Sequence, residues 1–196
     1  MSVHWFESSP FHHHLRTLPP EMSFRFRLAN RDDIPTLHAL VESAYRGDAA
    51  RAGWTHEADL LDGQRTDLQA LSEMLADADQ RIVIAMGDDR MAGCVSVQRK
   101  PPASAYLGML TVRPDLQAQG LGRQLMAEAE ALARTAFEAA IIEMTVIRQR
   151  PELIAYYERR GYARTGEARP FPHGDVRFGV PRTRELEFVV LAKSIG

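Results

Sequence analysis

The sequence holds a single cysteine, Cys94, in 196 residues. No disulfide can form within the chain, and the cytoplasm is its expected location. Lysine is scarce too. Of the 24 basic residues only Lys100 and Lys193 are lysines, so the remaining 22 are arginines. That bias reads first as genomic composition and second as a supply of planar forks for phosphate. No apolar run nears the ~20 residues that a membrane-crossing helix needs. The N-terminus lacks the basic-then-apolar order of a secretory signal. Charge of one sign is missing as well: 26 acidic residues leave a formal net charge of −2. Such a balance gives no electrostatic footprint for nucleic acid or an anionic membrane, so neither is an expected partner. His12, His13 and His14 are adjacent but lack cysteine or acidic partners at ligand spacing, and no metal is expected.

What remains is an ordinary globular composition, 45% hydrophobic and 26% charged. The length suits one domain and buries roughly 70% of the unfolded surface without a covalent staple. Residues 1–22 read as a loosely ordered N-terminal extension, with Pro10, Pro19 and Pro20 opposing regular structure. This extension is expected to be loose or even absent from the native product. The domain itself is expected over 23–196.

Phe24, Phe26 and Leu28 alternate with arginines, which predicts a half-buried strand. Asn30 or Asp32 then caps a helix carrying Ile34, Leu37, Leu40, Val41 and Tyr45 on one face, with Gly47 as its stop. A second helix is predicted over 68–75, strands over 81–86 and 91–98 with a hairpin between them, and a third strand over 105–112. Residues 120–137 are predicted to form an amphipathic helix with Leu121, Leu125, Met126, Ala129, Leu132 and Ala133 on its apolar face. A buried strand over 140–147 follows. Pro151 opens the next helix and Gly161 takes its C′ position. Strands over 162–167 and 186–195 close the chain. The order predicts a mixed α/β fold: a mostly antiparallel sheet flanked by helices, with one βαβ crossover over 105–147.

The informative segment sits inside that crossover. After the strand motif Leu110-Thr111-Val112 comes Gln117-Ala118-Gln119-Gly120-Leu121-Gly122-Arg123, where a helix opens at two glycines. A helix N-terminus offers unpaired N–H groups and about half a positive charge, and glycines let an anion approach the backbone. A dinucleotide fingerprint requires a third glycine where Leu125 stands, and a nucleotide-binding P-loop requires Gly-Lys-Ser/Thr where Gly122-Arg123-Gln124 stands. Both are excluded. The segment fills every position of Gln/Arg-x-x-Gly-x-Gly/Ala. Downstream, Ala155-Tyr156-Tyr157-Glu158-Arg159-Arg160-Gly161-Tyr162 matches a helix ending Tyr-Glu-x-x-Gly-Phe/Tyr. With both motifs, and the elements between them in order, residues 23–195 strongly resemble the GNAT family of acetyl-CoA-dependent N-acetyltransferases.

The resemblance implies a co-substrate, acetyl-CoA, and a primary amine of a small molecule or peptide as acceptor, joined by direct attack in a ternary complex. It implies that backbone N–H groups from Gln117 to Arg123 hold the CoA diphosphate while the pantetheine arm runs beside Leu110, Thr111 and Val112. Arg123 either reaches the phosphates or is a solvated helix residue. The resemblance also assigns Tyr157 to the departing thiolate. A tyrosine near pKa 10 and a thiol near 8.5 make complete proton transfer uphill by roughly 2 kcal/mol, so Tyr157 acts first as a hydrogen-bond donor. Tyr156 is expected in the packing, because only one of two neighbours is expected to face the thiol.

The base is open between Glu143, which shares a strand face with Thr145, and Glu57, beside His56 in an irregular segment. Trp54 and Glu57 are candidates to line the acceptor site, with an ordinary loop anchor as the alternative for Trp54. Asp62 and Arg65 are weaker candidates. Cys94 reads as core. A non-catalytic acyl-CoA sensor on the same fold and a transferase of longer acyl groups stay open, as does a monomer or homodimer.

Overall fold

The computed structural model describes residues 23–45, 59–173, 179–183 and 185–196. Its first strand, β1 (Arg25–Leu28), ends at a capping box. The Asn30 side chain accepts the Asp32 N–H at 2.9 Å, and the Asp33 carboxylate accepts the Asn30 N–H at 2.8 Å. Asn30 is therefore the cap. A 3₁₀ turn, Arg31–Asp33, is interposed before α1 (Ile34–Tyr45). Gly47 lies outside the described residues. The remaining elements are β2 (Leu61–Asp62), α2 (Leu68–Ala76), β3 (Gln80–Gly87), β4 (Arg90–Lys100), β5 (Ser104–Val112), α3 (Leu121–Phe137), β6 (Ile141–Ile147), α4 (Pro151–Glu158), β7 (Ala163–Pro170), β8 (Val180–Pro181) and β9 (Glu187–Ser194).

Seven strands form one sheet in the order β1-β3-β4-β5-β6-β9-β7, and β2 and β8 form a separate ribbon. Only β5 and β6 are parallel, as the expected crossover requires. One face of the sheet carries α1 and α2 through Leu37, Val41, Leu71, Ile82, Ile84 and Cys94. The other carries α3 and α4 through Leu121, Leu125, Ala129, Ile142, Met144 and Ile154. Each fully buried leucine here is worth about 1.5–3 kcal/mol. Phe24 and Phe26 pack against this core, but Leu28 is 47% exposed. It ends an edge strand where the sheet face is no longer covered, which corrects the expected alternation. Among the described residues no helix is long and apolar enough to cross a membrane.

Two irregularities in β5 open the sheet. Opposite β4, the register slips by one residue between Cys94↔Thr111 and Ser96↔Gly108, with Met109 at φ +48°. The extra residue exchanges the two faces. Ala105 and Leu107 pack toward α3, Met109 packs toward α1, and Leu110 packs back toward α3. On its other edge β5 pairs with β6 only over Ser104–Tyr106, against Ile141–Glu143. Beyond Tyr106 the strands part, and a hydrogen bond between the Tyr106 and Thr145 hydroxyls (2.7 Å) marks the start of the opening.

Candidate functional site

The opening between β5 and β6 is bounded at its far end by the connection into α3. A 3₁₀ turn at Pro114–Leu116 leads to Gln117 in extended conformation, then Ala118 at φ +64° and Gly120 at φ +85° as the α3 N-cap. Residues of opposite backbone hand in succession turn their N–H groups inward, an anion-binding concavity. Among the described residues, none of the N–H groups from Ala118 to Gly122 donates to a protein acceptor. The two glycines serve different ends. A Cβ on Gly120 would meet nothing within 4 Å, so that position needs glycine for its positive φ alone. A Cβ on Gly122 would stand 2.9 Å from the Tyr156 hydroxyl, so that position needs glycine for close approach.

Across the gap, α4 ends in a Schellman motif. Gly161 donates to the Glu158 carbonyl at 3.0 Å and Tyr162 to the Tyr157 carbonyl at 3.3 Å, with Gly161 at φ +87°, in its expected C′ place. The motif fixes the rotation of the last turn, so that Leu153, Tyr156, Tyr157 and Arg160 present one stripe at helical spacing. All four line a cavity of about 360 Å³ shared with Leu110, Val112, Gln117, Ala118, Gly120, Gly122 and Arg123. Tyr156 packs against the core, as expected, and also lines the cavity beside Tyr157, because positions i+3 and i+4 of one stripe face the same side. The other members of the motif lie elsewhere. Thr111 is buried with its hydroxyl on the Met109 carbonyl (3.1 Å), Leu121 is core, and the exposed Gln119 donates to the Asp115 carbonyl.

Two guanidiniums face this cavity. Arg123 is exposed at the α3 N-terminus, and neither it nor Arg160 forms an ion pair with a described residue. Arg160 stacks on the Tyr156 ring with Cζ 3.3 Å from the centroid and donates to the Tyr156 carbonyl at 2.7 Å. Its Nε–H is buried and has no acceptor among the described residues. Burial pushes the Tyr156 hydroxyl above the ordinary tyrosine range, and the two arginines oppose that rise. Arg160 escaped sequence reasoning because it occupies an open position of the Tyr-Glu-x-x-Gly-Tyr motif.

Tyr157 is 8% exposed and lies at the junction of two cavities. Its ring meets Tyr156 and Tyr162 edge-on, at 5.3 and 6.2 Å. Tyr162 is itself anchored through Glu130, which also holds Lys193. The second cavity, about 340 Å³, opens toward α1 and α2 and shares Tyr45, Leu110, Leu153 and Tyr157 with the first. The Tyr45 hydroxyl donates to the Leu110 carbonyl at 2.5 Å and so pins the bulged strand between them.

Of the acceptor-side candidates, Arg65 and Thr145 line this second cavity and Glu143 does not. The Glu143 carboxylate lies 3.4 Å from the Arg169 guanidinium of β7. Asp62 is paired with Arg182, which ties β2 to β8. Trp54, His56 and Glu57 lie outside the described residues. Cys94 is fully buried beneath the bulge, and burial pushes its thiol up to about 12, as suits a core residue.

The family model described as an acetyltransferase (GNAT) domain matches residues 51–173. The chain belongs to the GNAT acetyltransferases. It is therefore an acyltransferase, of a family whose co-substrate is acetyl-CoA. No curated protein matches it. Among solved structures it is similar to a GNAT-family protein from Desulfovibrio desulfuricans, with 20% identity, a TM-score of 0.64, and coverage of 89% of this chain and 100% of that one. It is similar to the ribosomal-protein-S18-alanine N-acetyltransferase from Escherichia coli, at 16% identity and a TM-score of 0.65 over 89% of this chain and 95% of that one. The spermidine/spermine N-acetyltransferase from Vibrio cholerae matches at 15% identity and a TM-score of 0.61, over 88% and 92%. These likenesses share the fold, with its mostly antiparallel seven-stranded sheet and flanking helices.

Proposed function

We propose that this GNAT protein transfers an acetyl group from acetyl-CoA to a primary amine by direct attack in a ternary complex. The observation that carries this reading is that two cavities, one walled by free N–H groups and guanidiniums, meet at Tyr157 in the opening between β5 and β6. The first cavity takes the donor. Its diphosphate sits on the N–H groups of Ala118, Gln119, Gly120, Leu121 and Gly122, with the Arg123 and Arg160 side chains beside it; the expected Gln117 and Arg123 N–H groups are instead bonded to the Pro114 and Gly120 carbonyls. The pantetheine arm lies along Leu110, Thr111 and Val112, where β5 has no β6 partner. A backbone N–H of this bulged strand polarises the thioester carbonyl.

The acceptor enters the second cavity, and its nitrogen attacks the acetyl carbon. The N–C bond forms, the C–S bond breaks, and the sulfur leaves as a thiolate that accepts a hydrogen bond from Tyr157; it takes that proton as the nitrogen releases its second proton, which is relayed back to Tyr157. The ammonium form of the acceptor must first lose a proton, since an amine of pKa about 10.4 is only about 0.04% neutral at pH 7. Glu57 is the preferred base over Glu143, whose carboxylate is held by Arg169 away from the cavity. Trp54 and Glu57 complete the acceptor wall.

Thiol release from acetyl-CoA across a panel of amines, amino acids, polyamines, aminoglycosides and peptide N-termini tests the reading. Sustained release with at least one amine is expected. Tight acetyl-CoA binding with no turnover on any of them would make the protein a sensor instead. A crystal with CoA that shows no diphosphate density at 117–123 would remove the donor site.

A further inference from the structure

Resting on the second cavity as the acceptor site, we infer that the acceptor is a small amine carrying hydroxyl groups, as an amino alcohol or an amino sugar does. The register of the sheet is the starting point. Gln80 of β3 stands opposite Gln98 of β4, and Gln98 stands opposite Tyr106 of β5. One step further on the same face, Ser96 stands opposite Gly108. On β6, Thr145 joins this group through its hydrogen bond with the Tyr106 hydroxyl. Four strands thus bring Gln80, Gln98, Ser96, Tyr106 and Thr145 to one wall of the second cavity.

These groups are neutral, and each can both donate and accept. Ser96 is 5% exposed, yet its hydroxyl has no hydrogen-bond partner among the described residues, and the amides of Gln80 and Gln98 have none either. All three open onto the cavity. A Cβ on Gly108 would stand 3.0 Å from the Ser96 Oγ and 3.2 Å from the Tyr106 ring, so glycine keeps a space open between those two side chains.

A hydrocarbon laid on this wall would strip water from the polar groups and return nothing. A hydroxyl, itself donor and acceptor, returns the bond. A peptide is served less well. Along Ser104–Tyr106 β5 is paired on both edges, so its backbone offers no ladder to an added strand and only side chains are presented. A cavity of about 340 Å³ suits a small molecule. The register also sets the reach. Ser96 lies level with Gly108, two residues before Leu110 where the cavities meet, which is about 7 Å at the rise of a strand. An aminobutanol whose nitrogen is at that junction spans the distance with its hydroxyl.

Matched pairs test this: aminobutanol against butylamine, and glucosamine against cyclohexylamine. Thiol release from acetyl-CoA is read with the wild-type chain and with Ser96→Ala. A neutral hydrogen bond predicts that kcat/KM favours aminobutanol by about 3–10-fold in the wild type, and glucosamine, with several hydroxyls, by more. In Ser96→Ala the aminobutanol advantage falls toward unity. The melting temperature stays close to that of the wild type, because the hydroxyl removed bonds to no described group. Equal or better turnover of the bare amine in either pair overturns the inference, as does an advantage that Ser96→Ala leaves unchanged.

Saturation-transfer NMR on the CoA-loaded protein separates this inference from the catalytic reading. Selective binding of the hydroxylated amines without turnover upholds the ligand class and removes the transferase. Turnover that ignores the hydroxyl does the reverse. Neither binding nor turnover of aminobutanol and glucosamine overturns the inference and leaves the transferase to the other amines of the panel.

Discussion

Arg160→Leu is expected to raise the KM for acetyl-CoA about 10–30-fold while kcat changes by less than about threefold. The magnitude comes from the guanidinium's state in the free protein. It is half-buried, stacked at 3.3 Å on Tyr156, and hydrogen-bonded to the Tyr156 carbonyl and hydroxyl. Its Nε–H is enclosed without an acceptor, and no described carboxylate neutralises it. A charge-assisted bond to a diphosphate nets about 1.5–3 kcal/mol, and partial exposure favours the lower half of that range. At 1.4 kcal/mol per tenfold, about 1.5–2 kcal/mol gives the stated ratio. Folding stability should barely move. Losing the cation–π contact costs about 0.5–1 kcal/mol, and removing the unpaired buried donor offsets about as much. Tm then stays within about 4 °C.

The decisive assay compares acetyl-CoA with acetyl-pantetheine, which lacks the diphosphate. The mutant should be impaired with the first donor and match the wild type with the second. An equal loss with both donors, or no loss with either, would refute the assignment of Arg160 to the diphosphate and leave it a structural prop for Tyr156.

Tyr157→Phe should lower kcat by about 10²–10⁴ with acetyl-CoA affinity unchanged by calorimetry; an unchanged kcat removes the hydroxyl from the reaction. Gly120→Ala and Gly122→Ala should separate strain from collision. The first costs about 1–2 kcal/mol in urea denaturation through its φ of +85° with nothing to clash against. The second displaces the Tyr156 hydroxyl and weakens acetyl-CoA binding more than it weakens the fold. Cys94, buried and with its thiol raised to about 12, should resist a thiol reagent at pH 8 until the chain is unfolded; fast native-state labelling would contradict its burial. Arg27, joined by the Asn30 N–H, holds the Asp33 carboxyl below the usual carboxylate range. Its folded-state pKa is depressed, so its stabilisation is complete above the unfolded value near 3.9 and is lost as pH falls through the folded value. Urea midpoints from pH 6 downward should therefore fall more steeply for the wild type than for Asp33→Asn.

The strand, loop and helix over 105–137 were legible because each rests on local chemistry: alternation, a proline stop, positive-φ glycine, an apolar stripe. The Gly161 cap was legible for the same reason. What was not legible is non-local. The ribbon of β2 and β8 joins two-residue strands far apart in the chain, held by Asp62 and Arg182, and no periodicity marks a strand that short. The insertion of β9 between β6 and β7 leaves no local trace either. Arg160 and Tyr156 were visible as residues but not as site residues, because their role depends on the rotational phase of α4 against α3. Glu143 illustrates the converse. Its strand face was read correctly, yet β7 supplies Arg169 to that face, and a pairing pattern across three strands cannot be read from one of them.

The near-zero net charge takes its meaning from these same contacts. A chain that binds a polyanionic co-substrate has no need of a basic surface if the charge it presents is local and uncompensated. Here the donor cavity combines N–H groups that the fold leaves unpaired with two arginines that form no ion pair with a described residue, while Glu130, Glu143 and Asp62 each hold a basic partner elsewhere. Those ion pairs neutralise basic groups elsewhere among the described residues and leave Arg123 and Arg160 to the donor cavity. Composition sums over both populations and so cannot see the difference. The bulge at Met109 and the parting of the strands after Tyr106 turn that spared charge into two adjoining cavities, because they expose one backbone edge and send Leu110 and Met109 to opposite faces.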